Sequence, residues 1–440
     1  KVTINKMDYI KGAPEKILPL CTNYLSESGR SIPFHLKESI NNKINEMTRK
    51  GIRVIALAQK ESRIIERLDN LTFVGILFIK DEIRKESKKG VDLVKSAGVQ
   101  TVMITGDNKD TAISIGKEVG IVDNKDDIVI TSTELNKLTD SQVKEILPRL
   151  KIVSRSLPQD KTRLVKLSEE LGLVVGMTGD GVNDAPALKH ADVGFSMGSG
   201  TEVAKEASDI VILDDNFLSI SKAILFGRTI FKSIRKFIIF QLTINLCAIS
   251  LSIIGPFIGI DTPVTVIQML WINMIMDTLA GIAFSYEPAL EGYMHEKPKS
   301  KTEQIKNDYM YKEVLITGMY SSILCLIFLK SDFIASLYRN ETKYFMTAFF
   351  SLFIFMGIFN SFNARTTRLN LLASISKNKA FLLVISFIII VQLLIIYYGG
   401  DLFRSYGLLP KELIVTILIS MTVIPIDLLR KIVLRKKQEN

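Results

Sequence analysis

The chain has 440 residues, 47% of them hydrophobic and 23% charged, and carries a formal net charge of +10. At ~150 residues per domain this length points to two to four domains, and the balance excludes a disordered chain, a collagen-like repeat and a small disulfide scaffold. Cys21, Cys247 and Cys325 are scattered, and with His35, His190 and His295 they build no zinc-ligand spacing.

Charge divides the chain. Residues 1–236 hold 69 Asp, Glu, Lys and Arg, whereas residues 237–440 hold 33, so the first part reads as soluble and the second as membrane-embedded. The sequence opens on Lys-Val-Thr-Ile without a start Met or signal peptide, and reads as part of something longer. In the soluble part, strands are expected at Thr72–Ile79, Gln100–Ile104, Asp127–Thr131, Ile152–Ser154, Leu173–Met177, Val193–Ser196 and Ile210–Leu213. Helical patterns such as Asp110–Val119 and Lys161–Leu171 lie between several of them. This alternation predicts a doubly wound, largely parallel sheet with its ligands at the carboxyl ends of the strands.

Three polar motifs fall at such ends. Thr105-Gly106-Asp107 follows one strand, Arg155 and Lys161 follow another, and Thr178-Gly179-Asp180-Gly181-Val182-Asn183-Asp184 follows a third. A hydroxyl, an ammonium and paired acids at one edge of one sheet suit phosphoryl transfer, in which Lys and Mg2+ neutralise the phosphate oxygens and acids hold the metal. Taken singly, Thr-Gly-Asp or Gly-Asp-Gly reads better as a turn; the seven-residue run with two acids four apart does not. In this order the three motifs match the second to fourth motifs of haloacid dehalogenase-type phosphotransferases. No Walker loop occurs, which excludes a P-loop ATPase. The nucleophilic Asp of that superfamily is also absent from the sequence.

Farther on, Phe237–Gly259, Tyr344–Ala364 and Ala380–Gly400 are uncharged for 23, 21 and 21 residues, long enough to span a bilayer as helices. Weaker spans are expected at Thr262–Tyr286, Tyr309–Leu329 and Leu413–Leu429, giving six helices. Connections 288–309 and 363–379 and the tail from Arg430 carry four, four and five Lys or Arg, against none, two and two on the other side. This bias places the soluble part and the carboxyl terminus in the cytoplasm. It also accounts for most of the net charge, so no nucleic-acid partner is expected. The tail Arg430–Lys437 reads as a positive-inside anchor. Within Trp271–Thr278, Asn273 and Asp277 stand four apart, on one face of an α-helix. An acid at membrane depth is usually functional, and with an amide oxygen it suits Ca2+; an interhelical hydrogen bond is the structural alternative.

These residues together resemble the P-type cation ATPases. Thr178–Leu188 matches the family's hinge motif almost letter for letter, Lys11–Glu15 resembles a nucleotide-domain motif, and Gly51–Ala58 its second ATP-contacting segment; Asp81 and Arg84 fit the return from that domain. The resemblance implies a haloacid dehalogenase-like, Rossmann-type α/β cytoplasmic domain plus six transmembrane helices. It implies residues 1–75 as the end of the nucleotide domain, 76–227 as most of the phosphorylation domain without its nucleophile segment, and 228–440 as the last six helices. By the same likeness Lys11 and Arg53 would meet ATP, and Thr105, Gly106, Asp107, Arg155 and Lys161 the phosphate. Asp180 would hold Mg2+, supported by Asn183 and Asp184. The segments around Phe240–Asn245, Gln268–Thr278 and Tyr286-Glu287-Pro288 are most similar to plasma-membrane-type calcium pumps. Asn245, Met276 and Gly357 occupy places where acid or hydroxyl ligands complete a second site in the sarcoplasmic-reticulum type, so one Ca2+ per ATP is expected, at Asn273 and Asp277. The resemblance implies a translocase of the plasma or a bacterial inner membrane whose partners are the lipid bilayer, ATP, the transported cation and the amino-terminal part of the same pump. The chain alone is then expected to be inactive. A pump for Mn2+ or another divalent ion, a truncated non-catalytic membrane protein, and a membrane-anchored phosphatase are the competing readings.

Overall fold

The computed structural model describes the chain apart from residues 1, 50–51, 63–68, 80–81, 261–262, 306 and 440. It divides into two compact units, Lys1–Ile224 with Met294–Thr302, and Leu225–Tyr293 with Glu303–Asn440.

In the first unit, β1 (Val2–Ile4), β2 (Met7–Gly12), β3 (Cys21–Leu25), β4 (Ser31–Pro33), β5 (Arg53–Glu61) and β6 (Leu71–Ile79) form a sheet in the order β1-β2-β5-β6-β3-β4. All its pairings are antiparallel except β3 with β6. Ala56 and Ala58 on β5, and Leu71 and Phe73 on β6, are buried two apart, the strand period that brings one face onto Ile10, Ile17 and Leu18. The run at 72–79 is therefore a strand, as expected, but not of the parallel sheet. Its apolar pattern specifies extended backbone; the partner strand decides direction.

Six shorter strands follow. β7 (Met103–Ile104), β8 (Ile128–Thr131) and β9 (Leu150–Ser154) pair in parallel in the order β7-β9-β8; β10 (Gly176–Gly179), β11 (Val193–Met197) and β12 (Ile210–Ile212) pair in parallel in chain order. The parallel pairing is as expected, but two three-stranded sheets stand where one was expected. β7 and β10 are each an edge strand of their own sheet. Helix α1 (Lys109–Glu118) follows β7 and is capped by the Asn108 side chain, which accepts from the Thr111 N–H. Helix α2 (Pro158–Glu170) follows β9, with Pro158 at a position whose N–H has no helical partner. Leu164 and Leu167 of α2 pack into the core beside β9, and Val165 into the core beside β10. One helix thus serves both sheets. Helix α3 (Ala185–His190) follows β10.

The second unit is helical. Among the described residues six helices are long and apolar enough to cross a membrane: α4 (Phe217–Phe257), α5 (Val266–Ser285), α6 (Asp308–Lys330), α7 (Thr342–Arg365), α8 (Lys379–Tyr398) and α9 (Pro410–Lys436). They coincide with the six spans read from the sequence, although α4 starts twenty residues before its apolar run because hydropathy marks only the part suited to lipid. Helix α7 is 78% buried over its apolar window, against 28–44% for the others, so its phenylalanines 349, 350 and 353 form the middle of the unit's core.

Charge is buried here in ion-pair networks, two of which gather several residues. Glu287 accepts from Lys236 Nζ at 2.7 Å, from Asn378 Nδ2 at 2.9 Å and from Arg365 Nη1 at 3.4 Å. Asp427 pairs with Arg430 at 2.7 Å and Lys431 at 2.6 Å, and Arg430 with Glu313 at 2.9 Å. Arg430 and Lys431 are only 5% and 2% exposed. The first two residues of the basic tail, Arg430 and Lys431, are therefore held in interior ion pairs.

Candidate functional site

The motif after β7 is tied to the loop after β9 by backbone. The Arg155 N–H donates to the Asp107 carbonyl at 2.9 Å and the Ser156 N–H to the Thr105 carbonyl at 3.0 Å. Thr105 Oγ1 donates to Asp107 Oδ2 at 3.0 Å while accepting from the Asp107 N–H at 3.1 Å. Arg155 holds φ at +53°, a left-handed conformation that non-glycine residues adopt at some cost in backbone energy and that clusters at functional sites. Gly106, Asp107 and Arg155 are exposed.

The motif after β10 folds around Asp184. Its Oδ1 lies 2.6 Å from Lys161 Nζ, and its Oδ2 accepts from the N–H groups of Asp180 at 3.2 Å and Gly181 at 3.3 Å. A Cβ on Gly179 would sit 2.5 Å from Asp184 Cβ, so only glycine leaves room for this arrangement. Asp184 is 6% exposed, whereas Asp180 and Asn183 are exposed. The Thr201 N–H fixes the Asp180 carbonyl at 2.8 Å, but the Asp180 carboxylate has no partner among the described residues.

The structure thus assembles Thr105, Asp107 and Arg155 in one group and Lys161, Asp180 and Asp184 in another. Both groups sit at carboxyl ends of parallel strands, and both β7 and β10 are edge strands of their sheets. Sequence reading missed Thr201 and the loop that braces Asp180; an isolated threonine in Gly198–Thr201 carries no signal of its own. Lys11 lies exposed on β2 opposite Leu57 of β5, and Arg53 opens β5 four residues from that pairing. Gly51 and Asp81 lie outside the described residues; Arg84 Nη1 donates to the Asp214 carbonyl at 3.2 Å.

The membrane pair is arranged differently from the expectation. Residues Trp271–Met276 within α5 form a π-helical turn, a form frequent at functional sites, instead of continuous α-helix. Asn273 is exposed and Asp277 buried, so the two do not share an environment. The widened turn changes the angular step between them. Both carboxylate oxygens of Asp277 are buried without a hydrogen-bond partner. Gly357 backs onto Met276, whose Cε would lie 3.5 Å from an added Cβ, and onto Ile244 at 3.4 Å.

Three family models match the chain: P-type ATPase, cytoplasmic domain N, over residues 3–86; haloacid dehalogenase-like hydrolase over 169–224; and cation transporting ATPase, C-terminus, over 261–433. The chain belongs to the P-type cation-transporting ATPases. It is 38% identical to calcium-transporting ATPase 12, plasma membrane-type, of Arabidopsis thaliana over 88% of this chain and 38% of that protein. It is 35% identical to calcium-transporting ATPase PAT1 of Dictyostelium discoideum over 97% of this chain and 42% of that protein. With plasma membrane calcium-transporting ATPase 4 of Homo sapiens the identity is 36%, over 91% and 35%. This P-type ATPase chain spans about two-fifths of the length of these relatives. It combines the haloacid dehalogenase-like α/β region with six apolar helices, and is a membrane protein.

Proposed function

We propose that this P-type chain serves ATP-driven transport of Ca2+ across a membrane through an aspartyl-phosphate intermediate, with one Ca2+ moved per ATP. The observation that carries the proposal is Asp277. Its carboxylate is buried in a membrane-spanning helix with neither oxygen partnered, and such a group persists when a cation completes it. Ca2+ accepts carboxylate and amide oxygens in flexible geometry, and the relatives are calcium-transporting ATPases by name. The one-ion reading is supported by Met276 and Ile244, which lie against Gly357; a thioether and an alkyl group are poor ligands for a hard cation. Asn273 would reach the same ion only after a change at the π-helical turn.

Two edge strands, β7 and β10, present open ladders where a strand bearing the nucleophilic Asp would enter; that strand belongs to the amino-terminal part of the pump, the chain's expected partner. Lys161, oriented by Asp184, would meet the transferring phosphate, with Thr105, Gly106, Asp107 and Arg155 on its other side. Lys11 and Arg53 would contact ATP. For Mg2+ the donor set fits: Asp184 is already satisfied by a cation and two amides, while Asp180 offers a free, exposed carboxylate. Mg2+ commonly takes one or two carboxylates and completes its shell with water and phosphate. Bound there, with Asn183 nearby in sequence, it supplies neutralisation of phosphate charge. The soluble unit and carboxyl terminus would lie in the cytoplasm, on the basic side of the helices. A plasma or bacterial inner membrane suits this reading.

The test is radioactive Ca2+ uptake into vesicles from cells expressing the chain joined to its amino-terminal part, with Mn2+ in parallel. ATP-dependent uptake of one Ca2+ per ATP, abolished by Asp277→Ala, is expected. Uptake that survives the substitution, or two Ca2+ per ATP, would refute the respective part of the proposal.

A further inference from the structure

Two of the three thiols meet inside the membrane unit. Cys247 on α4 and Cys325 on α6 are free, 1% and 0% exposed, with their sulfurs 3.9 Å apart. Beside them is a cavity of about 10 Å3, lined by Cys247 and, one turn before each cysteine, by Thr243 and Ser321. That is room for one water-sized body, and a bare metal ion is no larger. Asn360 also lines it, 4% exposed, with its Nδ2 buried and unpartnered.

We propose that Cys247 and Cys325 form a binding site for one thiophilic divalent ion held between two sulfurs. Three features of the pair select this ligand. Among the described residues no group of three or more His, Cys, Asp and Glu could hold a metal, so a four-coordinate zinc site has no ligands, whereas two thiolates satisfy a soft ion that accepts two. Charge selects valence: a divalent ion with two thiolates is neutral, but a monovalent one leaves a net negative charge at membrane depth. Distance separates metal from disulfide. Two metal–sulfur bonds of about 2.3 Å span at most about 4.6 Å, an opening of about 0.7 Å from the observed separation. A disulfide requires closure to about 2.05 Å, so the two sulfurs would have to approach by about 1.9 Å. On binding, two S–H bonds break, two metal–sulfur bonds form, and both protons leave to solvent. No electron is transferred. The site joins α4 to α6, beside a cavity that Ile244 and Gly357 also line.

Hg(II) is the probe, added to the reduced, purified full chain in detergent. The expected result is one tightly bound ion per chain, two sulfur neighbours in X-ray absorption, and two thiols protected from alkylation in peptide mapping, those of Cys247 and Cys325. Cys21→Ser should bind as the wild type does, and Cys247→Ser or Cys325→Ser should weaken binding by ~100-fold or more, the loss of a direct ligand exceeding that of an outer-shell partner. Retained affinity in either single variant, loss of affinity in Cys21→Ser, a single sulfur neighbour, or a mass loss of two hydrogens without bound mercury would overturn the proposal. The absorption and alkylation readouts use wild-type protein, so they decide the matter even if a serine variant fails to fold.

Discussion

At the scale of single residues, Asp184 organises the loop after β10 by accepting from three donors at once. Its geometry depends on the missing side chain of Gly179, because an added methyl would lie 2.5 Å from the aspartate's own Cβ, far inside van der Waals contact. Gly179→Ala must therefore push Asp184 off Lys161, at about 1–3 kcal/mol for overpacking. The expected outcome is a lower unfolding midpoint for the soluble unit, measured by calorimetry on the chain, with a parallel loss of phosphorylation in the pump. An unchanged midpoint would mean that the loop holds Asp184 by other means. The compact loop was legible in the sequence because two acids four apart with glycines between and before them suit a tight turn after a strand, which is what Asp184 and Gly179 build here. Asn273 was not so legible. Its four-residue spacing from Asp277 promised one shared face, but the π-helical turn is made by packing and carries no residue signature, so the exposure of Asn273 had to be seen.

At the scale of elements, the segment Met294–Thr302, which lies between α5 and α6 in sequence, belongs to the soluble unit. Lys301 Nζ lies 2.6 Å from Asp192 Oδ1 and 3.5 Å from Glu169 Oε1, and Asp192 Oδ2 also accepts the Val175 N–H at 2.9 Å. Burial tends to raise the Asp192 carboxyl, but the bonds from Lys301 and Val175 outweigh it and hold the pKa below its ordinary value. The same pairing, through its hydrogen bond first, raises that of Lys301. A depressed acid stabilises the fold above its unfolded pKa of about 3.9 and loses that contribution as pH falls through the folded value; a raised lysine stabilises below about 10.4 and loses it as pH rises through its own. The stability difference between wild type and Lys301→Met should thus be greatest between these limits and shrink toward both, read from unfolding midpoints across pH. A difference that is flat in pH would assign Lys301 a packing role alone. A second element-scale contact is Glu287, which gathers Lys236 from α4, Arg365 from α7 and Asn378 at the start of α8. Glu287→Gln leaves the buried Arg365 and the half-buried Lys236 without this counter-charge, and breaking a buried pair from one side costs about 3–5 kcal/mol. Thermal unfolding in detergent should show that loss, and Arg365→Met combined with Glu287→Gln should restore part of it. Helices were easily read from sequence because an apolar run at membrane length has one solution, whereas short strands left their sheet partners open: β6 joined an antiparallel sheet, and β7 and β10 ended separate ones.

At the scale of the whole molecule, the second unit satisfies nearly every buried charge. Glu287, Asp427, Glu313 and Glu412 all meet Lys or Arg, and Asp277 alone of these acids has no partner for either oxygen. A fold selected only for stability would remove it, since a buried polar atom without a hydrogen bond costs about 1–3 kcal/mol. Asp277→Asn is nearly isosteric and abolishes the charge. In the absence of divalent cations it should therefore raise the unfolding midpoint of the membrane unit, because a neutral amide costs less to bury than a carboxylate. In the pump it should abolish Ca2+-dependent phosphorylation. The two effects have opposite signs, which separates a ligand from a structural acid: an Asp277 kept for an interhelical bond would lose stability on becoming Asn, and phosphorylation would fall only as far as the protein unfolds. Calorimetry without divalent cations, followed by phosphorylation as Ca2+ is titrated, distinguishes the two. A variant both less stable and still responsive to Ca2+ would place the transported ion elsewhere in the bundle.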